Sequence, residues 1–274
     1  MANYDDDDYV FIIRTVQSAP IRTLIEALKE MLTDCNIEID KKGIRIQEVT
    51  RSCAVLVHLE LNADSFGWDK YYVREPKTLG ISMINLFKII KTMSPNDTLT
   101  LYMENNENKL GIDIHSGEKN QKKSYKLNLM YLPNQKAEIL PLKYDRILTW
   151  VSSDFQKTCR DMQSLDFKTV DIQSANGQLI IKGESQVVSQ ETIIGDNSGN
   201  GGSMSYNSNN NPDEVVQGRF NLEYLVQFTK CSSLSQNVEL YLQNNSPLIV
   251  RYKISDLGEV KFCVGQRDLD DYDE

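Results

Sequence analysis

The sequence lacks the long apolar run and the leading signal that direct a chain into or across a membrane. None of its hydrophobic runs reaches the roughly 18 residues that a membrane-spanning helix requires. Its first residues, Met1 to Asp8, are acidic, whereas a secretory signal is basic and then apolar. We therefore expect a soluble protein without membrane contact, which stays where it is made or enters the nucleus.

Cysteine and histidine are scarce, and their arrangement argues against disulfide and metal chemistry. The five cysteines are scattered, odd in number and form no CxxC motif, which is typical of reduced thiols. The two histidines, His58 and His115, are too few for a His-based zinc site. The run Asp5 to Asp8 indicates a solvated terminus, because no scaffold fixes its carboxylates around an ion. We expect no metal site.

Catalytic motifs are absent as well. The sequence contains no GxxxxGK[ST] loop for phosphates, no GxGxxG after a strand and no GxSxG elbow. We therefore predict no catalytic residue, no cofactor and no enzymatic activity. A metal-dependent hydrolase that uses the acidic clusters is the alternative, and an assay with Mg²⁺ would detect it.

What the chain does contain is a repeated order of helices and strands. The segment Leu99-Thr-Leu-Tyr-Met-Glu-Asn-Asn is similar to Val238-Glu-Leu-Tyr-Leu-Gln-Asn-Asn, about 139 residues later, which indicates a duplicated unit. Each half reads as two amphipathic helices against a strand-rich sheet. The fold class predicted is therefore α+β.

Local signals place the elements within each half. In the first half, we predict a helix over about 83–93 with Ile84, Phe87 and Ile90 facing inward. In the second half, Ser153 and Gln156 form a predicted capping box, and Asn221 is predicted to cap the last helix. Asn176-Gly177 predicts a tight hairpin turn.

Between the halves the alternating pattern stops. Leu132-Pro133-Asn134 interrupts it, and the apolar patch Ile139-Leu140-Pro141-Leu142 follows in an otherwise polar stretch. We therefore divide the chain into 1–128, a connector over 129–144, and 145–274. The Gly, Asn and Ser-rich stretch Gly195 to Asn211 predicts a mobile loop, and the tail after Arg267 is acidic.

The net charge of −9, from 39 acidic and 30 basic residues, argues against binding nucleic acid by overall attraction. Cations nevertheless recur on the polar faces of all four predicted helices. An ordinary solvated helix face is the plain reading for any one of them, whereas all four together favour a segregated basic surface. These cations are Arg22, Lys29, Lys88, Lys91, Lys157, Arg160 and Lys230.

Several stretches resemble one known family. The run from Pro247 to Phe262, PLIVRYKISDLGEVKF, closely resembles the PLVVEYKIADMGHLKYY stretch of the proliferating cell nuclear antigen family of DNA sliding clamps. Leu24-Ile-Glu-Ala-Leu-Lys, Gly43-Ile-Arg-Ile-Gln-Glu-Val and Phe155-Gln-Lys-Thr-Cys-Arg-Asp are similar to the family's VLEALK, GVNLQSM and EFARICRD. The resemblance extends from about Phe11 to Arg267.

The resemblance implies two similar clamp domains per chain and a closed ring of three identical chains around duplex DNA. Helices would line the hole, with antiparallel sheets outside, and the seven helix cations would face DNA. The subunit interface would include Tyr125, Ser185 and Gln190. Such a clamp catalyses nothing, and a separate clamp loader would perform the ATP chemistry. The expected location is the nucleus, or a viral replication compartment.

The family also implies a pocket for the short PIP-box peptides of polymerases, nucleases and ligases. The positions that match this partner-peptide site are Val49, Cys53, Ala54, Leu56, Ile139, Leu140, Pro141, Pro247 and Gly265. The chain departs from the family in carrying Gln266-Arg267 where Pro-Lys is common, Cys53 where histidine is common, and Asn176 where the family carries a modifiable lysine.

Three other functions remain open on the sequence alone. The chain could be a subunit of a heterotrimeric checkpoint clamp, which a mixed composition of the purified complex would reveal. It could be a monomeric, viral-type processivity factor, whose complex with linear DNA would survive only at low salt. A structural assembly protein would leave the helix cations unexplained.

Overall fold

A computed structural model describes residues 6–133, 144–195 and 214–267, and the backbone of 204–208. The chain divides into two compact units. Unit 1 comprises Met1–Glu48, His58–Ala137 and Lys253–Val260, and unit 2 comprises Val49–Val57, Glu138–Tyr252 and Lys261–Glu274. Among the described residues, no helix is both long and apolar enough to cross a membrane.

Unit 1 contains two antiparallel arrays of strands and two helices. The first array has the order β5-β1-β7-β8-β9, and the second has the order β4-β3-β2-β6. The strands are β1 (Tyr9–Thr15), β2 (Asp34–Asp40), β3 (Gly43–Val49), β4 (Val55–Asn62, belonging to unit 1 from His58 onward), β5 (Lys70–Val73), β6 (Lys77–Ser82), β7 (Thr98–Glu104), β8 (Lys109–Ser116) and β9 (Gln121–Asn128). The helices are α1 (Ser18–Met31) and α2 (Met83–Ile90), and a 3-10 turn covers Asp6–Asp8.

In the sequence, Pro20 suits the first turn of a helix, and an apolar stripe follows it at helical spacing through Ile21, Leu24, Ile25, Leu28 and Leu32. Helix α1 forms over this stretch. Its residues Ile21, Leu24 and Leu28 are buried, as are Phe11 and Ile13 of β1. Burying side chains of this size stabilises the fold by about 1.5–3 kcal/mol each. The core of unit 1 therefore lies between the helices and the strands.

Helix α2 presents a different face from the one predicted. Met83, Leu86 and Ile90 are buried, whereas Ile84 is 45% exposed and Phe87 is only half-buried. The helix sequence MINLFKII is apolar on several sides, so spacing alone does not select one stripe. The start of the helix is fixed instead by a backbone contact, in which the amide of Met83 donates to the carbonyl of Thr33 over 2.9 Å.

Unit 2 repeats this plan. One array has the order β14-β10-β16-β17-β18, and the other is a four-stranded sheet of order β13-β12-β11-β15. The strands are β10 (Arg146–Val151), β11 (Thr169–Ala175), β12 (Gln178–Glu184), β13 (Ser189–Gly195), β14 (Met204–Ser208), β15 (Val216–Asn221), β16 (Asn237–Leu242), β17 (Leu248–Ile254) and β18 (Gly258–Val264, belonging to unit 2 from Lys261 onward). The helices are α3 (Ser152–Ser164) and α4 (Leu222–Phe228), followed by a 3-10 turn at Thr229–Cys231.

Aromatic side chains fill the core of unit 2. Trp150 and Phe155 lie 5.6 Å apart between ring centroids, and Phe228 stacks on Phe262 at 4.7 Å. All four side chains are buried. Contacts of this kind contribute about 0.5–1.5 kcal/mol beyond the burial of area.

The turn prediction in unit 2 is confirmed, but two other local predictions are wrong. Asn176 and Gly177 have φ of 52° and 71°, as a tight hairpin requires. Ser153 is not an N-cap, because α3 already begins at Ser152 and no side chain caps it; Gln156 instead donates to the carbonyl of Thr229 at 2.8 Å. The predicted mobile loop over 195–211 is wrong at Met204–Ser208, which form strand β14 and pair with β10, whereas positions 196–203 and 209–211 lie outside the described residues.

Candidate functional site

A groove of about 600 Å³ lies in unit 2, where the turn before β4, the start of α4, the turn before β17 and the end of β18 meet. Its lining is mostly apolar or uncharged, with one cation, Arg267. The residues around it are Val49, Ser52, Cys53, Ala54, Leu56, Asn221, Tyr224, Pro247, Cys263, Val264, Gly265, Gln266 and Arg267. An open, largely apolar groove with a few polar groups is the usual form of a ligand or peptide site.

Local hydrogen bonds hold the turn at one side of the groove. The amide of Thr50 donates to the carbonyl of Val55, and the amide of Cys53 to the carbonyl of Thr50, each over 2.8 Å. The hydroxyl of Thr50 also accepts the amide of Val55 at 3.2 Å. Cys53 has φ of 56° and is exposed, so the turn presents this thiol at the surface.

Helix α4 forms the opposite wall. Asn221 caps it, as the sequence predicts, because its side-chain oxygen accepts the amide of Glu223 at 2.8 Å. One turn later, the phenol of Tyr224 donates to the hydroxyl of Ser52 at 3.1 Å. These two residues are 172 positions apart in sequence. The wall and the turn are therefore joined by a contact that only the folded chain creates.

The segment after β18 closes the third side. The amide of Gly265 donates to the carbonyl of Ala54 at 3.3 Å, and the Gln266 side chain donates to the carbonyl of Ser246 at 2.8 Å. A Cβ built on Gly265 would meet no atom within 4 Å. The glycine therefore leaves open space at this position.

Tyr144 anchors the chain where it enters unit 2. Its hydroxyl donates to the carbonyl of Pro247 at 3.0 Å, and its ring meets Tyr241 edge-on with centroids 5.8 Å apart. Burial raises the pKa of Tyr144 well above its ordinary value and that of Tyr241 to about 12. Both phenols therefore stay protonated and able to donate a hydrogen bond at neutral pH.

The structure brings together six of the nine residues that the sequence assigned to peptide binding. Val49, Cys53, Ala54, Leu56, Pro247 and Gly265 all line the groove. The other three, Ile139, Leu140 and Pro141, lie outside the described residues. The sequence did not assign Ser52, Asn221, Tyr224, Cys263 or Val264 to the lining. The cap at Asn221 and the apolar spacing of Leu222, Leu225 and Phe228 predicted helix α4 but not its part in the groove.

In unit 1, the first residues after β9 lie along strand β6. The amide of Met130 donates to the carbonyl of Gly80 at 2.8 Å, and Asn36 donates to the carbonyl of Pro133 at 3.3 Å. A Cβ on Gly80 would meet the Met130 carbonyl at 2.1 Å. Only glycine therefore permits this close approach of the two backbones.

The helix cations of unit 1 have unequal surroundings. Arg22 is half-buried and donates to the carbonyl of Met93 at 3.0 Å. The Lys29 ammonium lies 4.8 Å from the centre of the Phe87 ring and pairs with Glu30. Lys88 and Lys91 are exposed. Lys88 also donates to the side-chain oxygen of Asn85 at 3.3 Å, so Arg22, Lys29 and Lys88 differ in burial and not in whether they contact the protein.

In unit 2, Lys157 and Arg160 are exposed one turn apart on α3. The predicted fourth-helix cation, Lys230, is also exposed, but it lies in the 3-10 turn that follows α4. Lys91 likewise lies just after α2, which ends at Ile90 and not at the predicted Met93. Lys88, Lys157 and Arg160 on the helices and Lys91 after α2 are exposed, and they are therefore well placed to meet a ligand in solvent.

The residues assigned to a subunit interface lie at two sheet edges. Tyr125 is on β9, and Gln190 is on β13, while Ser185 lies in the turn before β13. In the described residues, β9 has a ladder only with β8, and β13 only with β12. Ile193 of β13 is 55% exposed and Val187 of the preceding turn 90%. Both edges can therefore accept a further strand.

Within the described part of the chain, His, Cys, Asp and Glu side chains form no group of three that could hold a metal ion. All five cysteines are free thiols. Burial raises the pKa of Cys35 to about 12 and also raises those of Cys159, Cys231 and Cys263. These four thiols are therefore protonated at neutral pH.

Comparison with a solved structure supports the fold. The chain superimposes on proliferating cellular nuclear antigen from Entamoeba histolytica with a TM-score of 0.85 and 23% sequence identity, covering 95% of this chain and 100% of the other. At this identity, the likeness establishes the architecture of two clamp-type domains with antiparallel sheets and few helices.

Comparison of sequences identifies the family. Residues 10–137 match the profile of the N-terminal domain of proliferating cell nuclear antigen, and residues 138–267 match that of its C-terminal domain. The chain is also 31% identical over 264 residues to the "Probable DNA polymerase sliding clamp 1" of Paramecium bursaria Chlorella virus 1, which covers 95% of this chain and 98% of that protein. The chain therefore belongs to the proliferating cell nuclear antigen family of DNA sliding clamps, whose members are processivity factors and not enzymes.

Proposed function

We propose that three copies of this chain form a closed ring that encircles duplex DNA and tethers replication and repair enzymes through PIP-box peptides. The observation that carries the proposal is the groove in unit 2, which gathers all six described residues of the predicted peptide site. Membership of the sliding-clamp family in both halves of the chain is the second support.

A ring holds DNA by topology, so its contacts with phosphates need only be weak and diffuse. Lysine and arginine supply such contacts without reading sequence. Lys88, Lys91, Lys157 and Arg160 suit this task because they are exposed. Arg22 and Lys29 would contribute less, since both are half-buried and contact neighbouring groups of the protein. The net charge of −9 would repel DNA from the remaining surface.

Ring closure would use the edges of β9 and β13 from neighbouring copies. Main-chain hydrogen bonds between two edge strands supply affinity, and exposed apolar residues such as Ile193 add burial. Tyr125, Ser185 and Gln190 would lie at this joint.

The groove would take the anchor of a partner peptide, with the connector 129–144 completing it through Ile139, Leu140 and Pro141. Polymerase, nuclease, ligase and clamp loader would bind in this way. Tethering raises the effective concentration of an enzyme at the primer end. The clamp would act in the nucleus or in a viral replication compartment. The relative from a virus supports the second of these locations.

A threading experiment tests the ring. The protein is added to linear duplex held on a bead at one end, the free end is then blocked, and the beads are washed with salt. A ring stays on the blocked duplex and is released when a nuclease cuts the DNA. If the salt wash removed the protein whether or not the free end was blocked, the ring would be contradicted. That result would match a monomer held on DNA by charge alone, because salt screens such contacts.

Calorimetric titration with a PIP-box peptide tests the groove. Ile139→Ala combined with Leu140→Ala should weaken binding about thirtyfold, which corresponds to about 2 kcal/mol, because an apolar anchor loses its contact. The melting temperature is measured alongside. Unchanged affinity would place the partner site elsewhere.

A further inference from the structure

A second cavity, of about 560 Å³, adjoins the groove within unit 2. The two share Gln266 and Arg267. Whereas the groove is mostly apolar, the second cavity is lined almost entirely by polar and charged side chains. They are Asp171, Gln173, Lys182, Gln217, Arg219, Asn244, Asn245, Gln266 and Arg267, with Val215 and Gly218.

Three strands of the four-stranded sheet form the floor of this cavity, and their register decides which side chains lie side by side. Lys182, Asp171 and Arg219 lie opposite one another on β12, β11 and β15. Neighbouring strands are about 4.8 Å apart, so the three side chains form a row of cation, carboxylate and cation. Arg219 donates to both Asp171 oxygens, at 2.7 and 2.9 Å. Gln173 and Gln217 form the next row.

Hydrogen bonds fix the rim. Asn244 accepts the amide of Gln217 at 2.8 Å and donates to the carbonyl of Val215 at 3.0 Å, which ties the turn before β17 to β15. The amide of Arg267 donates to the carbonyl of Arg219 at 2.9 Å. The cavity is therefore formed before any ligand binds, which lowers the entropic cost of binding.

The described lining carries three cations, Lys182, Arg219 and Arg267, against one carboxylate, Asp171. Lys182 also pairs with Glu191 of β13 at 2.8 Å, and both side chains are about half exposed. With Glu191 included, three cations lie beside two carboxylates, so the excess is one positive charge. It is nevertheless of the opposite sign to the chain as a whole, whose net charge is −9.

We propose that this cavity is a second subsite for the partner peptide, which takes acidic side chains that flank the apolar anchor. The inference rests on the proposed function, because it requires the anchor to occupy the groove. A peptide advances about 3.3 Å per residue when extended. Two or three flanking residues thus extend about 7–10 Å beyond the anchor. A flank that leaves the groove past Gln266 and Arg267 enters the second cavity, because both cavities share these two residues.

Fluorescence anisotropy with matched peptides tests this. The peptides share one PIP-box anchor and carry three glutamates, three serines or three lysines on either its N-terminal or its C-terminal side. On one of these sides, the glutamate flank should bind about three- to tenfold tighter than the serine flank at low salt, and the lysine flank more weakly. Added salt should remove the difference, because ion pairs at an exposed rim are screened.

A variant that removes one charge from the second cavity tests whether this cavity causes the preference for the glutamate flank. Lys182→Gln should reduce the preference for the glutamate flank while leaving the affinity of the serine-flanked peptide unchanged, since Lys182 does not line the groove. Lys168→Gln is the matched control, because Lys168 is exposed in the same unit and lines neither cavity. It should leave the preference intact.

The outcomes separate the two proposals. Equal affinity for all flanks would overturn the subsite and leave the proposed function standing, whereas failure of every peptide to bind would overturn the proposed function. The titration is repeated with a chain that ends at Arg267. A preference that appears only after removal of the acidic residues 268–274 would assign the cavity to the chain's own tail and would also overturn the proposal.

Discussion

At the scale of single residues, Gly265 is the position where the groove can be filled without disturbing the fold. A Cβ there meets no atom within 4 Å, and the backbone conformation is open to ordinary residues. Gly265→Leu should therefore weaken PIP-box peptide binding, by about thirtyfold if it displaces an anchor side chain, which is about 2 kcal/mol. Titration calorimetry measures the loss, and the melting temperature should not change.

The matched control for Gly265 is Gly117, in the turn between β8 and β9, where an added Cβ also meets nothing. Gly117→Leu should leave peptide affinity unchanged. If both variants bound the peptide as well as the parent, the groove would not be the anchor site.

The carboxylate of Asp40 stabilises the β2–β3 hairpin, and its protonation makes the stability of the protein depend on pH. Its carboxylate accepts the amides of Lys42 at 2.7 Å and Gly43 at 3.1 Å, and it pairs with Arg45. The hydrogen bond from Arg45 is the main reason that the pKa of Asp40 lies below its ordinary value. The stability that this group contributes is present above the ordinary pKa of 3.8 and is lost as the pH falls through the lowered folded-state value.

Asp40→Asn should accordingly cost about 1 kcal/mol at neutral pH, because charge-assisted hydrogen bonds are replaced by weaker ones. It should also flatten the loss of stability at acid pH. Urea unfolding at neutral and acid pH measures both effects. Asp64→Asn, at an exposed carboxylate, is the control, and an equal cost from the two variants would contradict the role of Asp40.

At the scale of elements, the exposed cations on and next to the helices are the groups that we expect to contact DNA. Replacing Lys88, Lys91, Lys157 and Arg160 with alanine should reduce retention on blocked duplex while each change costs less than about 0.5 kcal/mol of stability, because the side chains are exposed. Retention on beads across a salt series, together with a thermal melt, gives both quantities.

Four exposed lysines outside the helices provide a control of equal charge. Replacing Lys41, Lys42, Lys168 and Lys253 with alanine changes the net charge by the same amount. If this variant lost DNA as readily as the helix variant, net charge and not position would govern retention.

At the scale of the whole molecule, we predict that the chain runs in solution at three times its mass of 31.4 kDa. Ile193→Asp on edge strand β13 should convert it to a monomer, because pairing of that edge would bury the new charge. Light scattering after size exclusion measures the mass. Ile84→Asp on α2 is the matched control, since Ile84 is 45% exposed and Ile193 55%. A parent chain that is monomeric at micromolar concentration would contradict the ring.

The sequence by itself determined the family, the duplicated halves, the strand alternation, the α1 stripe, the Asn176-Gly177 turn and the Asn221 cap. These features follow from local spacing, from single-residue conformational preferences, or from motifs that survive as continuous runs.

Only the tertiary structure decided which stripe of α2 faces inward, that Met204–Ser208 pairs with β10, and that Ser52 and Tyr224 meet across the groove. It also decided that Lys182, Asp171 and Arg219 stand in one row. Each of these depends on contacts between residues far apart in sequence. The local sequence pattern cannot predict such contacts. An apolar helix can bury any of several faces, and a polar strand can pair with any of several partners, until the rest of the fold selects one.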